Sequence, residues 1–148
     1  MSIEKMIAEH PDVGSDYNES LGGAVKQAMY CAAICNSCAD ACIAEEMDMS
    51  RCIRLCLDCS DVCEATYRVA SRRTDHNREL IRTLLATCIH ACEICEAECV
   101  KHDNPHCHSC AQMCRECAEG CRTALETIND EVHAEGGRST FAHHAAGV

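Results

Sequence analysis

Cysteine recurs in this chain at steps of three and four. Cys31, Cys35, Cys38 and Cys42 are spaced 4, 3, 4. Cys52, Cys56, Cys59 and Cys63 repeat that spacing, as do Cys88, Cys92, Cys95 and Cys99. The last set, Cys107, Cys110, Cys114, Cys117 and Cys121, runs 3, 4, 3, 4. Residues three and four apart share one face of an α-helix, so each set predicts a stripe along a helix. Zinc ribbons and fingers differ, because their CxxC pairs sit on turns rather than in sustained ladders.

Helix-boundary signals divide the chain in the same way. Asp16 with Glu19 forms a capping-box pattern ahead of Leu21. Ser50 can cap a second helix, whose end carries Arg72 and Arg73 to suit the negative end of the dipole. Thr74 or Asp75 can cap a third, and Asn104-Pro105 places a cap and a first-turn proline before the fourth. The expected helices cover 18–46, 50–73, 75–102 and 105–131. Residues 1–17 form an N-terminal segment with a short helix within 1–12. Gly136-Gly137 marks the end of order, so 132–148 is expected to be a flexible tail.

Short connections between helices of similar length predict an all-α, up-down-up-down four-helix bundle. The cysteines then occupy the a and d seam positions that leucine ordinarily fills, giving a Cys-lined core. Extending each seam shows where they lie along the axis. The first stripe runs back to Ala28, Ala24 and Leu21, and the second forward to Thr66 and Ala70. The third runs back to Leu85 and Ile81, and the fourth forward to Ala124 and Ile128. In an up-down bundle these extensions meet at one end as an apolar plug. The thiols fill the other half, over roughly 17–21 Å of axis. Past the thiols, Met49 follows Cys42 in register and His102 follows Cys99, and both are candidate metal ligands at a mouth. Met47, His106 and His108 lie close by and rank behind them. His90 and Met113 fall off the register, and His143 and His144 belong to the tail.

Composition limits the chemistry. Seventeen of 148 residues are Cys, against three Tyr, one Phe and no Trp. That fraction marks a scaffold of disulfides or a metal matrix. The formal charge of −11 gives no basic face for nucleic acid or an anionic membrane. No apolar run has the length of a membrane span, and the N-terminus shows no signal peptide. A cytoplasmic location is therefore expected, where reduced thiols bind metal rather than pair.

A buried Cys can be a small hydrophobe, but 17 in register in one half of a core would pack poorly with nothing between them. Five CxxC pairs are present (35/38, 56/59, 92/95, 107/110 and 114/117). The ferredoxin run C-x2-C-x2-C-x3-C-P is absent, and iron–sulfur clusters sit in loops that wrap them. Zinc favours discrete tetrahedral sites. Soft thiolates select Cu(I), and neighbouring Cu(I) sites can share ligands along a ladder. Charge favours the same ion, because isolated buried thiolates are heavily penalised and one monovalent ion per thiolate nearly cancels them.

The C-x3-C-x2-C-x3-C stripes at Cys31–Cys42, Cys52–Cys63 and Cys88–Cys99 resemble those of the bacterial cytosolic copper storage proteins, over about residues 18–131. The resemblance implies a bundle, often a homotetramer, whose core holds multiple Cu(I) ions on cysteine. It also implies entry at an open end helped by His and Met, here Met49 and His102. Copper storage and buffering, without catalysis, is the expected function, and a copper chaperone is a candidate partner. An iron–sulfur electron carrier and a zinc or cadmium sink are the alternatives.

Overall fold

A computed structural model describes the backbone of residues 1–145 and the side chains of residues 1–74 and 76–131. Its α-helices are α1 (Ile3–Ala8), α2 (Glu19–Ile43), α3 (Ser50–Ala70), α4 (Arg78–Cys99) and α5 (Pro105–Ala145). Helix α2 packs on α3 and α5, and α4 packs on the same two, closing the expected up-down-up-down ring. Helix α1 lies outside the ring against α2.

The seam extensions meet as the register requires. Leu21, Ala24 and Ala28 of α2, Thr66 and Ala70 of α3, Ile81 and Leu85 of α4, and Ala124 and Ile128 of α5 are all buried. They form the plug, to which Val25 adds volume. Where α2 and α5 face each other, a Cβ on Gly120 would come within 1.7 Å of Gln27 Oε1. The Gln27 amide therefore occupies the place a side chain at 120 would take.

Several helix ends differ from expectation. Asn18, not Asp16, caps α2, its Oδ1 accepting from the Leu21 N–H at 2.9 Å; Asp16 ends a 3-10 turn over Gly14–Asp16. Ser50 is the first residue of α3 rather than its cap. Asp48 Oδ1 accepts from both the Ser50 N–H (3.0 Å) and its hydroxyl (2.6 Å). Thr74 does form a capping box, with Asn77, and Pro105 opens α5 as predicted. Helices α2, α3 and α4 each stop three residues short of the expected end. For α2 the reason is charge, since Glu45, Glu46 and Asp48 oppose the negative end of the helix dipole. The backbone of α5 continues past Gly136 and Gly137 to Ala145. The side chains of the expected tail, with His143 and His144, lie outside the described residues.

Arg73 does not serve α3 as a dipole partner. It lies past the last residue of that helix, is buried, and clamps the plug end. Its Nη1 donates to the Asp16 carbonyl at 3.0 Å and its Nη2 to Glu131 Oε2 at 2.9 Å. Asn18 Nδ2 donates to Thr127 Oγ1 at 2.9 Å beside it. The start of α2, the end of α3 and the far part of α5 are thus tied together where the thiols end. Because the plug holds no thiol, Leu85→Ala should destabilise the metal-free protein by about 2–5 kcal/mol. Metal capacity should remain that of the wild type, as denaturant unfolding and end-point metal analysis would show.

Candidate metal centre

All 17 cysteines are buried free thiols, pointed inward by their helical register. Next to the plug, Cys63 and Cys88 lie with sulfurs 3.7 Å apart, and Cys88 is 4.0 Å from Cys117. Sets of four ligand atoms, each within 4.8 Å of the rest, then succeed one another along the axis. They are Cys31/Cys59/Cys63/Cys92, Cys31/Cys35/Cys59/Cys114, Cys35/Cys95/Cys110/Cys114 and Cys38/Cys56/Cys99/Cys110. Successive sets share members, so the thiols form one continuous ladder. Most contacts cross between helices, such as Cys35–Cys114 at 3.6 Å and Cys110–Cys35 at 3.6 Å.

The ladder ends in a set of different composition: Cys38, Cys42, Cys107 and His106. His106 Nδ1 lies 3.4 Å from the Cys38 sulfur and 3.5 Å from that of Cys107. Its Nε2 lies 2.8 Å from Glu45 Oε1. Of the two mouth ligands predicted from register, Met49 is buried in the core cluster, at the N-cap of α3. His102 is part-buried, with Nε2 3.3 Å from Glu98 Oε1. Met47 and His108 are exposed, and so is His90. Met113 is buried on a flank of the core. The structure therefore brings His106 into the thiol cluster, a place the register alone gave to Met49 and His102.

Glu98 is a buried carboxylate at the same end. Burial would raise its pKa, but bonds from His102, Lys101 and Arg51 outweigh this and hold it below the usual carboxylate value. Arg51 Nε donates at 3.2 Å and Lys101 Nζ at 3.3 Å. The pairs to Lys101 and His102 are i,i+3 and i,i+4 neighbours and could have been read from the sequence.

The thiols at the His106 end are shifted toward the protonated form. Burial, and then repulsion from Cys38 and Cys52, pushes Cys42 up to about 12 from the ordinary thiol value of 9.0. Burial and neighbouring thiols likewise raise Cys107. Deeper in, a thiolate is tolerated only where other thiols donate to it. Cys110 is lowered by Cys114 and its other neighbours, and Cys114 is raised in return. Such a core accepts cations by releasing protons.

This geometry defines a class: a helical tube that holds many soft metal ions on shared thiolates. The sequence profile of the copper storage protein family matches residues 17–126, and the chain belongs to that family. The copper storage protein Ccsp from Streptomyces lividans, in a structure loaded with 10 copper equivalents, superposes with a TM-score of 0.79 at 35% identity. That match covers 84% of this chain and 98% of the other. Cu(I)-bound copper storage protein BsCsp3 gives a TM-score of 0.65 at 32% identity, over 71% of this chain and 97% of that one. The uncharacterised cysteine-rich protein YhjQ of Bacillus subtilis (strain 168) is 37% identical over 84 residues, 55% of this chain and 74% of its own length.

Cys42 contributes a pH dependence. Above the ordinary value of 9.0 the unfolded chain gives up thiol protons that folded Cys42 retains to about 12. Alkali therefore favours unfolding. The stability of reduced, metal-free protein should hold below about pH 9 and fall between about 9 and 12, while metal-loaded protein stays folded there. Denaturant melts across that window check it, and a metal-free stability that rises with pH would contradict it.

Proposed function

We propose that the protein is a cytosolic Cu(I) store filled and emptied through the mouth formed by Cys38, Cys42, His106 and Cys107. The observation that carries this reading is the chain of overlapping ligand sets, bounded at one end by the aliphatic plug and ending at the other in the set that contains His106. Cu(I) binds first among the mouth ligands, with Met49 and His102 extending that end. It then passes inward by associative exchange, each thiolate taking the ion before the previous one lets go. The ladder thiols are the storage ligands. Each arriving ion displaces a proton, and monovalent charge keeps the filled tube near neutrality.

A cytosolic place agrees with the 17 reduced thiols and with a neighbour, the cytosolic copper storage protein from Streptomyces lividans. No described helix is long and apolar enough to cross a membrane. Storage rather than catalysis is the family's role. A homotetramer and exchange with a copper chaperone complete the reading, supported by the resemblance to the family.

Anaerobic Cu(I) titration against a Cu(I)-specific chelator should saturate at or slightly above the 17 thiols. A plateau at about four or five ions would mean discrete tetrahedral sites instead. Direction of entry can be tested separately. Replacing Cys63 and Cys88 together, nearest the plug, should lower capacity while leaving the earliest phase of stopped-flow loading unchanged. Slowed early uptake in that variant would put the entrance at the wrong end.

A further inference from the structure

We propose that Glu45 is a positioning residue for copper entry: its carboxylate holds His106 in the tautomer and orientation that present Nδ1 to the mouth. This rests on the reading of the mouth given above. An ionised carboxylate only accepts hydrogen bonds, so the 2.8 Å contact from His106 Nε2 to Glu45 Oε1 places the imidazole proton on Nε2. Nδ1 is then left with its lone pair, 3.4 Å from the Cys38 sulfur and 3.5 Å from that of Cys107. In the opposite tautomer Nδ1 would carry the proton and have no lone pair for a metal.

The placement of Glu45 follows from the fold. Helix α2 ends at Ile43, and the turn after it carries Glu45 on the side of the mouth that faces the first turn of α5. His106 is the second residue of α5, next to the ladder member Cys107. One short connection thus delivers a carboxylate to the outer edge of a histidine whose inner edge faces thiols. Both side chains are only part-exposed, 24% for His106 and 30% for Glu45, so the bond is partly shielded from competing water. Carboxylate–histidine–metal triads work in this way, and loss of the outer partner commonly costs 10–100-fold in affinity or activity. Glu98 serves a different purpose. It is shared among Arg51, Lys101 and His102, and its role is to neutralise charge between α3 and α4.

Three variants of the full chain test the proposal: Glu45→Ala, Glu45→Gln and His106→Ala. Two measurements are made on each. One is the tautomer of His106, read from its ring-nitrogen chemical shifts in reduced, metal-free protein. His106→Ala identifies the signals. The other is the initial rate of anaerobic loading by Cu(I) alone. Glu45→Ala should lose the pure Nε2–H signature and load about tenfold more slowly, with final capacity unchanged. Glu45→Gln, whose amide oxygen still accepts from Nε2–H, should restore both. Wild-type tautomer and rate in Glu45→Ala would overturn the proposal. Equal slowing in Glu45→Gln and Glu45→Ala would also overturn it, replacing orientation by simple attraction of the cation. If His106→Ala loads at the wild-type rate, the mouth itself is misassigned and the role of Glu45 in entry falls with it. The tautomer measurement would still report whether Glu45 orients the ring.

Discussion

A buried thiolate needs a cation or a proton beside it, and half of this core is built from side chains under that constraint. Seventeen sulfurs, several within 4 Å of one another, cannot all be ionised in a low-dielectric interior. Without metal, protons must neutralise most of these sulfurs, and the raised value at Cys42 is the local expression of this. When it fills, each monovalent ion replaces a proton and the charge is unchanged. The same scaffold can therefore carry either state at one core charge. Aliphatic side chains in these positions would pack better, but they would leave nothing for metal to do.

The remaining elements give the tube a direction. At one end Leu21, Ile81, Leu85 and Ile128 close the axis, and Arg73 ties three chain segments over it. At the other end lie the turns that carry Glu45 and Met49, and His106 Nδ1 sits beside the sulfurs of Cys38 and Cys107. Thiols bind Cu(I) strongly but begin protonated. An imidazole nitrogen with a free lone pair can meet the ion without first losing a proton. On the proposed entry route, such a group at the mouth would put the easiest first contact where the ion arrives and the strongest ligands behind it.

Much of this was legible in the sequence, because period and residue type were both extreme. Steps of three and four assigned every cysteine to a helix face, and extending those steps placed the plug residues one by one. The helix caps were less legible. Asp16 and Asn18 are both suited to cap one helix start, and Asn18, whose amide also donates to Thr127, is the one that does. Arg73 reads as a dipole partner from the sequence because its partners, Asp16 and Glu131, lie 57 and 58 residues away. His106 is hard to place from the sequence for a related reason. It precedes a seam position rather than occupying one, and its contacts with Cys38 and Glu45 cross from α5 to the end of α2. Register predicts what a helix buries in its own stripe. It does not predict what a long flanking side chain reaches at a helix end.

Anomalous diffraction at the copper edge from crystals of Cu(I)-saturated protein tests the central claim most directly. Copper should appear as a continuous column along the bundle axis, from the set containing Cys42 and His106 to the sulfurs of Cys63 and Cys88. No copper should lie among Leu21, Ile81, Leu85 and Ile128. Copper confined to a few separated sites, or bound on the outer surface with the thiol column empty, would contradict the account.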